Sequence, residues 1–422
     1  MKTLQAIRGM HDILPAEIGA WHWLEARIRR LMFRYGFDEI RTPVVEKTEL
    51  FTRAIGQSTD VVQKEMYAFD DRNGESLSLR PEGTAGVVRA VLQHGLTQPP
   101  GLKVWYQGPM FRHERPQKGR QRQFHQVGVE VFGLEDAMVD VELIAMAERL
   151  WRELGIDDRL TLQLNSLGDR EDRARYRDAL VEFLRPLADR LDEDSRRRLD
   201  TNPLRILDTK NPDTRGLLAD APRLPDYLSD AAREHFDGVV RMLDALGIAY
   251  RLDPSLVRGL DYYGRTVFEW TTESLGAQGT VCAGGRYDDL VEIQGGRPTP
   301  GVGFALGMER LLELLRMTRD SFEERPHCYL VSAEDPALRM KLAESLREEI
   351  DWLRIAVDLQ GGSFRAMFKR ADRSGAELAL VVGEDEAAAG QVTVKDLRGD
   401  AEQQVVDQSE LAAWLISSLD GP

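Results

Sequence analysis

The chain has 422 residues, a formal net charge of −15, 42% apolar residues and 30% charged residues. This length predicts two or three globular domains, and the composition is typical of a protein with real hydrophobic cores. No stretch approaches about 18 uncharged apolar residues, which excludes a membrane-spanning helix. The acidic balance also argues against nonspecific coating of nucleic acid, although it leaves room for local cationic patches.

The cysteines and histidines predict neither a structural zinc site nor any other metal site. Cys282 and Cys328 are far apart in the sequence and have no metal-ligand spacing, and the histidines form no HExxH pair. The start of the chain lacks the uninterrupted apolar segment of a signal peptide. We therefore expect a protein of the reducing cytoplasm that has no membrane partner.

The first predicted elements alternate between helix and strand. Residues 15–35 predict a helix that opens at Pro15, because apolar residues recur there at helical spacing. The stretch "DEIRTPVVEKTEL" (38–50) predicts a strand that is interrupted by Pro43 and lies at a sheet edge or an interface, since proline has no N–H to donate. The following patterns predict strands at 77–80, 103–107 and 126–133, helices at 84–93 and 139–154, and a strand with a turn at 159–169.

The composition changes after residue 169, where glycine disappears and charge becomes dense. Residues 170–250 predict a helical insertion, and the alternative is that these are surface helices of the main domain. Strand-like segments with frequent glycines are found again at 256–310. From residue 326 onwards strands and helices alternate, which predicts a separate α/β module. The expected domains are thus 1–325 and 326–422.

The phosphate-binding signals are arginines rather than a glycine-rich loop. No GxxxxGK[ST] occurs, and the glycines of "GVGFALG" (301–307) do not match the dinucleotide fingerprint. Arg112, Arg258 and Arg310 each lie where a strand meets a turn or helix. A single arginine in such a place is commonly a structural ion-pair residue, but three of them favour an anion site built from side chains.

Several long segments resemble class II aminoacyl-tRNA synthetases. "FRHERPQKGRQRQFHQ" (111–126) is similar to their second motif, "GVGFALGMERL" (301–311) to their third, and helix 15–35 with "RTPVVEKTELF" to their first. "RGMHDILP", "LSLRPEGTAG", "LVRGLDYYGRTVFEW" and "GTVCAGGRYDDL" specifically resemble histidyl-tRNA synthetases, and the likeness runs the whole chain. It implies an α+β fold: a class II antiparallel sheet flanked by helices, a helical insertion, and a C-terminal α/β anticodon-binding domain.

The resemblance also implies the reaction and the partners. Histidyl-tRNA synthetases ligate L-histidine to tRNA(His) through a histidyl-adenylate, use ATP with Mg²⁺, release AMP and diphosphate, and are homodimers. The attacking carboxylate is already a nucleophile, so no protein base is needed. Positioning and positive charge therefore supply most of the catalysis.

The resemblance assigns the ATP site to arginines and a base clamp. Arg112 would contact the α-phosphate and the histidine carboxylate, and Arg258 would contact the α-phosphate from the opposite side. Both are the expected catalytic residues. Glu114 would accept from the adenine amino group, and the remaining ATP contacts would come from Arg120, Phe124 below the base and Arg310 above it. Without the motif, Phe124 could equally be a core residue.

The histidine pocket must offer the imidazole both a donor and an acceptor. The resemblance assigns this pair to Glu130 and Tyr263, and it assigns the ammonium to Glu82, Thr84 and Gln126. From the residues alone, Glu82 could instead cap the helix at 84–93, and Tyr263 could be a structural tyrosine. The full expected histidine-binding set is Glu82, Gly83, Thr84, Arg112, Gln126, Glu130, Arg258, Tyr262 and Tyr263.

Two cationic stretches are candidates for contact with tRNA. The loop 112–122, which contains Gln117, would face the acceptor end. Arg365, Lys369 and Arg373 have i, i+4, i+8 spacing and share one face of a predicted helix. A solvated charge stripe is the usual interpretation of such spacing, whereas the resemblance favours a phosphate-contacting face.

Two other functions fit part of the pattern. A synthetase-like regulatory subunit of histidine biosynthesis would generally lack the C-terminal domain and lose motif residues, both of which are present here. A ligase of another amino acid, of the prolyl or threonyl type, would share the three class II motifs. The segment "LVRGLDYY" argues against that second alternative.

Overall fold

The computed structural model describes residues 3–419 except 58, 118, 277–278, 320–321, 323–324 and 333–335. The chain divides into a first unit, Met1–Phe322, and a second unit, Glu323–Pro422. Lys118 of the cationic loop lies outside the described residues.

The helices of the first unit are α1 (Pro15–Arg34), α2 (Thr48–Ile55), α3 (Thr84–Gln93), α4 (Ala137–Leu154), α5 (Arg170–Leu184), α6 (Glu193–Thr201), α7 (Pro212–Leu217), α8 (Asp230–Leu246), α9 (Leu290–Ile293) and α10 (Met308–Leu315). Its strands are β1 (Asp38–Glu39), β2 (Val45–Lys47), β3 (Ala68–Asp70), β4 (Ser76–Leu79), β5 (Leu102–Phe111), β6 (Gln123–Phe132), β7 (Thr161–Ser166), β8 (Tyr250–Leu252), β9 (Gly264–Thr271), β10 (Thr280–Arg286) and β11 (Gly301–Gly307).

The main sheet of the first unit is largely antiparallel, which confirms the predicted α+β class. Its eight strands among the described residues run in the order β1-β5-β6-β11-β10-β9-β7-β8. The two pairs at its margins, β1 with β5 and β7 with β8, are parallel, and the pairs between them are antiparallel. The cationic loop joins β5 to β6, so it extends from one end of the central hairpin.

The interrupted strand predicted over residues 38–50 is confirmed in part. Two short strands, β1 and β2, lie on either side of Pro43, each at the edge of a sheet, but α2 begins at Thr48, so a strand over 48–50 is wrong. Pro43 cannot donate to a sheet and lies between the strands. Phe51, Ala54 and Ile55 are buried in α2 at i, i+3 and i+4, which is the spacing of one helix face.

The stretch between β7 and β8 is helical, as its charge-dense sequence predicted. It carries α5 to α8 and a 3-10 turn at Pro203–Ile206. The apolar side chains of this helical stretch do not form a hydrophobic core of their own. Leu199 and Ile206 belong to the same buried cluster as Val257, Tyr262 and Tyr263, so these helices are joined to the loop before β9.

A fully buried guanidinium fixes the start of α4. Arg286 at the end of β10 forms an ion pair with Asp140 at 2.8 Å, and the side chains of both residues are 0% exposed. Arg286 also donates to the carbonyl oxygens of Leu134 at 3.1 Å and Asp136 at 3.0 Å. His235 on α8 lies 3.5 Å from the same carboxylate. These contacts join the sheet, α4 and the helical insertion at one point.

The second unit has a mixed sheet in the order β13-β12-β14-β15-β16. Its elements are β12 (Cys328–Ser332), α11 (Pro336–Glu349), β13 (Ile355–Val357), α12 (Phe364–Arg373), β14 (Leu378–Val382), α13 (Glu384–Ala389), β15 (Gln391–Asp396), β16 (Gln404–Asp407) and α14 (Leu411–Ser418). Two buried clusters lie within this unit. In neither unit does the described part of the chain contain a helix with the length and apolarity needed to cross a bilayer.

Candidate active site

A cavity of about 520 Å³ opens over the main sheet of the first unit. Its walls come from the central strands, the loop before β9, the cationic loop and the start of α10. Most of the site residues predicted in this unit line it: Glu82, Thr84, Arg112, Glu114, Arg120, Phe124, Gln126, Arg258, Tyr262, Tyr263 and Arg310. Gly83, Gln117 and Glu130 are not part of its wall.

The three predicted arginines converge on this cavity. Arg112 donates from Nε to the carbonyl oxygen of Pro81 at 2.8 Å, and Arg310 donates from Nε to that of Gly119 at 3.0 Å. Burial lowers the pKa of Arg112 and of Arg310, and the charge of Arg112 lowers the pKa of Arg310 further. Neighbouring buried cations repel each other, so a bound anion stabilises the arrangement.

Arg258 has a carboxylate partner that the sequence reasoning missed. Its guanidinium pairs with Glu269 on β9, whose other oxygen accepts from Thr280 Oγ1 at 2.9 Å. It also lies 5.2 Å from the centre of the Tyr263 ring. Burial opposes ionisation, yet the Glu269 carboxylate raises the pKa of Arg258. The available signal was a single acidic residue inside the apolar strand "RTVFEW", where an unpaired charge would be costly.

The residues that were predicted to bind adenine lie at the base of the cationic loop. Phe124 on β6 lies 5.4 Å from the Arg112 guanidinium. Glu114 is 9% exposed and pairs with Arg120. The carboxylate expected to accept from adenine therefore already has a cationic partner, which fixes its position. Glu309 holds the neighbouring His125 by accepting its backbone N–H at 2.9 Å.

Glu130 lies behind the cavity rather than on its wall, which differs from its predicted direct contact with imidazole. It is 1% exposed. It accepts hydrogen bonds from Thr84 Oγ1 at 2.7 Å, from the Tyr106 hydroxyl at 3.4 Å and from the Tyr287 hydroxyl. Burial raises the pKa of Glu130 to about 8. The side chain lies over Gly303 on the adjacent β11, where a Cβ would overlap its carboxylate.

Aromatic rings occupy the space between Glu130 and the loop before β9. The rings of Tyr262 and Tyr263 are 4.6 Å apart, and that of Tyr287 is 6.4 Å from Tyr263. Burial raises the pKa of Tyr262 and of Tyr263, so their hydroxyls stay protonated and can donate. Gly83 serves this packing, because a Cβ there would overlap the Tyr106 ring.

Two polar residues close the predicted ammonium end of the cavity. Glu82 accepts the backbone N–H groups of Thr84 at 2.7 Å and Ala85 at 2.9 Å. It therefore caps α3, as one of the two interpretations predicted, and it also lines the cavity. Gln126 lines the cavity with a buried Oε1 that has no hydrogen-bond partner among the described residues. That oxygen can accept from a ligand.

The helical insertion supplies residues that the sequence reasoning did not assign to the site. Arg205, Asp208 and Lys210 line the cavity. They follow α6 in the segment "NPLRILDTKNPD" (202–213). Nothing in their spacing indicates that the chain returns to the cavity there, because that depends on how the insertion packs.

The predicted tRNA contacts are exposed. Gln117 lies at the turn of the cationic loop, where it forms an isolated bridge with Arg120. In the second unit, Arg365, Lys369 and Arg373 are exposed on α12, whose buried residues are Met367 and Ala371. None of the three cations forms an ion pair with any residue that the structure describes.

Comparisons with known proteins match both units. The family model described as "Histidyl-tRNA synthetase" matches residues 9–311, and the one described as "Anticodon binding domain" matches residues 328–418. A curated protein of Alkalilimnicola ehrlichii named "Histidine--tRNA ligase" is 58% identical over 415 residues, which cover 98% of this chain and 96% of that protein.

Solved structures agree with these matches. The crystal structure of apo S. aureus histidyl-tRNA synthetase superposes with a TM-score of 0.82 at 34% identity, and the match covers 98% of this chain and 100% of that one. The structure of a histidyl-tRNA synthetase from Nostoc sp. PCC 7120 has a TM-score of 0.70 at 23% identity, covers 98% and 99% of the two chains, and shows the shared fold.

Proposed function

The chain belongs to the histidyl-tRNA synthetase family, and from that membership we propose how its residues carry out the family's reaction. Its activity is the ATP-dependent ligation of L-histidine to tRNA(His). The observation that carries the residue assignments is the convergence of Arg112, Arg258 and Arg310 on one cavity beside a cluster of buried tyrosines. A regulatory subunit is less well supported, because the anticodon-binding module and the predicted motif residues are both present.

We assign adenylate formation to the guanidinium groups of Arg112 and Arg258. Arg112 and Arg258 would hold the α-phosphate between them while the histidine carboxylate attacks it and diphosphate leaves. Glu269 keeps Arg258 in place before substrate arrives. Charge on the phosphate oxygens grows in the transition state, and preorganised cations stabilise it without a protein base.

ATP would enter as its Mg²⁺ complex. That ion keeps several waters and is usually bound through substrate phosphates and one or two carboxylates. Phe124 and Arg310 would hold the adenine ring between them, Glu114 would accept its amino group, and Arg120 would fix Glu114.

Histidine would bind beside the tyrosines. Tyr263 would contact the imidazole directly, and Glu130 would act through the hydroxyls that surround it, chiefly those of Thr84 and Tyr287. Gln126 and Glu82 would hold the ammonium group. An analogue without ring nitrogens would leave buried polar groups unpaired, so discrimination can be large without a separate editing site.

A second copy of the chain would cover an apolar groove beside Pro43. The groove is lined by Ile40, Leu50, Leu92 and Leu96 from β1, α2 and α3 and their connections. Homodimer formation would remove this surface from water. The family likeness also supports a cytoplasmic protein with tRNA(His) as its macromolecular partner.

Amino-acid-dependent ATP–diphosphate exchange across the twenty amino acids tests the function. Histidine should support rapid exchange and the others should not. Exchange supported best by proline or threonine would reject the histidine assignment, and no exchange with any amino acid would favour the regulatory alternative.

Glu130→Gln should weaken histidine binding at least about 10-fold and change ATP binding much less. With a pKa of about 8, the Glu130 carboxyl is mainly neutral at pH 7, and its hydroxyl oxygen can both donate and accept. The amide NH2 only donates, so one of the surrounding hydroxyls loses its acceptor and the histidine pocket is less well ordered. Calorimetric titration of each substrate measures the two affinities. Similar losses for histidine and ATP would show that Glu130 only supports the fold.

The same variant should change how stability depends on pH. The pKa of Glu130 is raised from 4.5 to about 8 in the folded chain, so the neutral carboxyl stabilises the folded state below about pH 4.5. This contribution, on the order of 5 kcal/mol, is lost progressively as the pH rises from about 4.5 to about 8. Urea unfolding at pH 5.5, 7 and 8.5 should show a flatter dependence for Glu130→Gln than for wild type, and identical slopes would contradict the assignment.

The triple variant Arg365→Ala, Lys369→Ala, Arg373→Ala should flatten the salt dependence of tRNA binding. Each lost phosphate contact on a single-stranded loop reduces the logarithmic slope by about 0.7. The matched control replaces three exposed cations of the insertion, Arg177, Arg185 and Arg197. An unchanged slope in the α12 variant would mean that this helix face is only solvated.

A further inference from the structure

One corner of the helical insertion is joined to two loops of the sheet unit by polar side chains. Asn202, which ends α6, donates from Nδ2 to Asp261 Oδ1 at 2.8 Å. Arg198, in the last turn of α6, pairs with Asp60 Oδ2 at 2.8 Å. We call these two contacts the clasp.

Both acceptors of the clasp directly precede residues of the cavity wall. Asp60 is followed by Val61, and Asp261 is followed by Tyr262 and Tyr263. Each contact therefore acts on a backbone segment that carries cavity-lining side chains, although the clasp residues themselves do not line the cavity.

Asp261 is held closely against the end of α2. Its backbone N–H donates to the carbonyl oxygen of Ile55 at 3.1 Å. Gly56 has a φ of +99°, and a Cβ on it would overlap the Asp261 side chain. The loop before β9 thus has little room to move near Asp261, and Asn202 holds it from the other side.

Arg198 is also linked to the cavity wall through Arg205. Arg198 also reaches the carbonyl oxygen of Arg205 at 3.5 Å, and Arg205 lines the cavity. Lys64 pairs with Asp60 at 3.1 Å as well. Burial raises the pKa of Asp60, but Lys64 and Arg198 together outweigh that and lower it, so the carboxylate is charged at neutral pH.

We propose that the clasp positions the Tyr262–Tyr263 loop, which makes Asn202 and Arg198 of the insertion positioning residues for histidine binding. This inference rests on the proposed histidine site. The adenine contacts, Phe124 and Glu114, belong to the β5–β6 hairpin and its loop. Asn202 contacts the loop before β9, whereas the segment after Asp60 continues to Glu65, whose carbonyl oxygen accepts from the His113 N–H of the cationic loop at 2.6 Å. Loosening the Asn202 contact should therefore affect histidine and leave ATP largely unchanged, and loosening the Arg198 contact should affect histidine more than ATP.

The test measures the Michaelis constants of the full chain for histidine and ATP in the exchange reaction, together with thermal stability. Asn202→Ala should raise the histidine constant about 5–10-fold and change the ATP constant less than about 2-fold. Arg198→Ala should raise the histidine constant by about the same factor and the ATP constant by a smaller one. Asn202→Asp should have the larger effect, because it places a carboxylate against Asp261. Arg198→Lys should retain part of the contact with Asp60 and be milder than Arg198→Ala.

The matched control is Asn211→Ala, which removes an asparagine cap inside the insertion. Asn211 accepts the backbone N–H groups of Asp213 at 2.9 Å and Thr214 at 3.1 Å and has no part in the clasp. It should lower thermal stability and change the Michaelis constants for histidine and ATP by similar factors. If Asn211→Ala gives the same separation, or if the clasp variants weaken both substrates equally, the clasp is only structural and the inference is overturned.

Failure of the proposed function would look different. In that case wild-type exchange would not depend on histidine at all. If wild-type exchange depends on histidine but the Asn202 and Arg198 variants change the Michaelis constants for histidine and ATP by equal factors, only the clasp inference is overturned.

Discussion

Replacing Arg258 by lysine should lower the rate of histidyl-adenylate formation by at least about 10², while the affinities for histidine and ATP change much less. A fixed donor aimed at developing charge is commonly worth about 2.7–4 kcal/mol, which corresponds to a rate factor of about 10²–10³. Lysine keeps the charge but loses the planar fork. It cannot reproduce a guanidinium that pairs with Glu269 and lies over the Tyr263 ring.

Single-turnover measurement of adenylate formation separates this effect from substrate binding and from transfer to tRNA. Arg251→Lys is the matched control, since Arg251 is an exposed arginine of β8 close in sequence, and its rate should equal that of wild type. A rate for Arg258→Lys within a few-fold of wild type would mean that Arg258 serves the fold and that other groups neutralise the α-phosphate.

Replacing Asp140 by alanine should destabilise the first unit by about 3–5 kcal/mol. The variant leaves the Arg286 guanidinium buried without the carboxylate that lies 2.8 Å from it, and neither side chain is exposed to water. The carbonyl oxygens of Leu134 and Asp136 still accept from Arg286, and Asp288 remains 3.3 Å from it. Asp288 is 32% exposed and its contact is longer, so it offsets only part of the buried charge. Urea unfolding, followed by fluorescence and by circular dichroism, measures the loss.

The control for Asp140→Ala is Asp178→Ala, because Asp178 pairs with Arg177 on the surface at 2.9 Å with 71% and 53% of the side chains exposed. Surface pairs contribute about 0–1 kcal/mol, so this variant should stay within that range. The double variant Asp140→Leu, Arg286→Met should lose less stability than Asp140→Ala, since no charge is left buried. Equal losses for Asp140→Ala and Asp178→Ala would contradict the assignment.

The chemistry of the site could be predicted from the sequence better than its geometry. Arg112, Arg258 and Arg310 were recognised because a phosphate site without a P-loop needs fixed cations, and all three line the cavity. The position of Glu130 could not be predicted. It depends on the pairing of Glu130 with Gly303 across β6 and β11, which opens the space that the carboxylate fills.

The mistakes in local structure have similar causes. The strand predicted over residues 38–50 extends three residues too far, because the burial of Phe51 and Ile55 on one face makes Thr48 the start of a helix. The contribution of Arg205 to the cavity wall depends on long-range packing of the insertion, and no local pattern records such packing.

Because each unit has its own buried clusters, heating need not melt the chain in one cooperative step. Calorimetry would then record overlapping transitions, and a single melting temperature would describe neither unit. In the proposed function histidine and ATP bind the folded first unit, so mass action would raise the temperature of that transition alone. Screening for substrates by thermal shift therefore requires the two transitions to be resolved first.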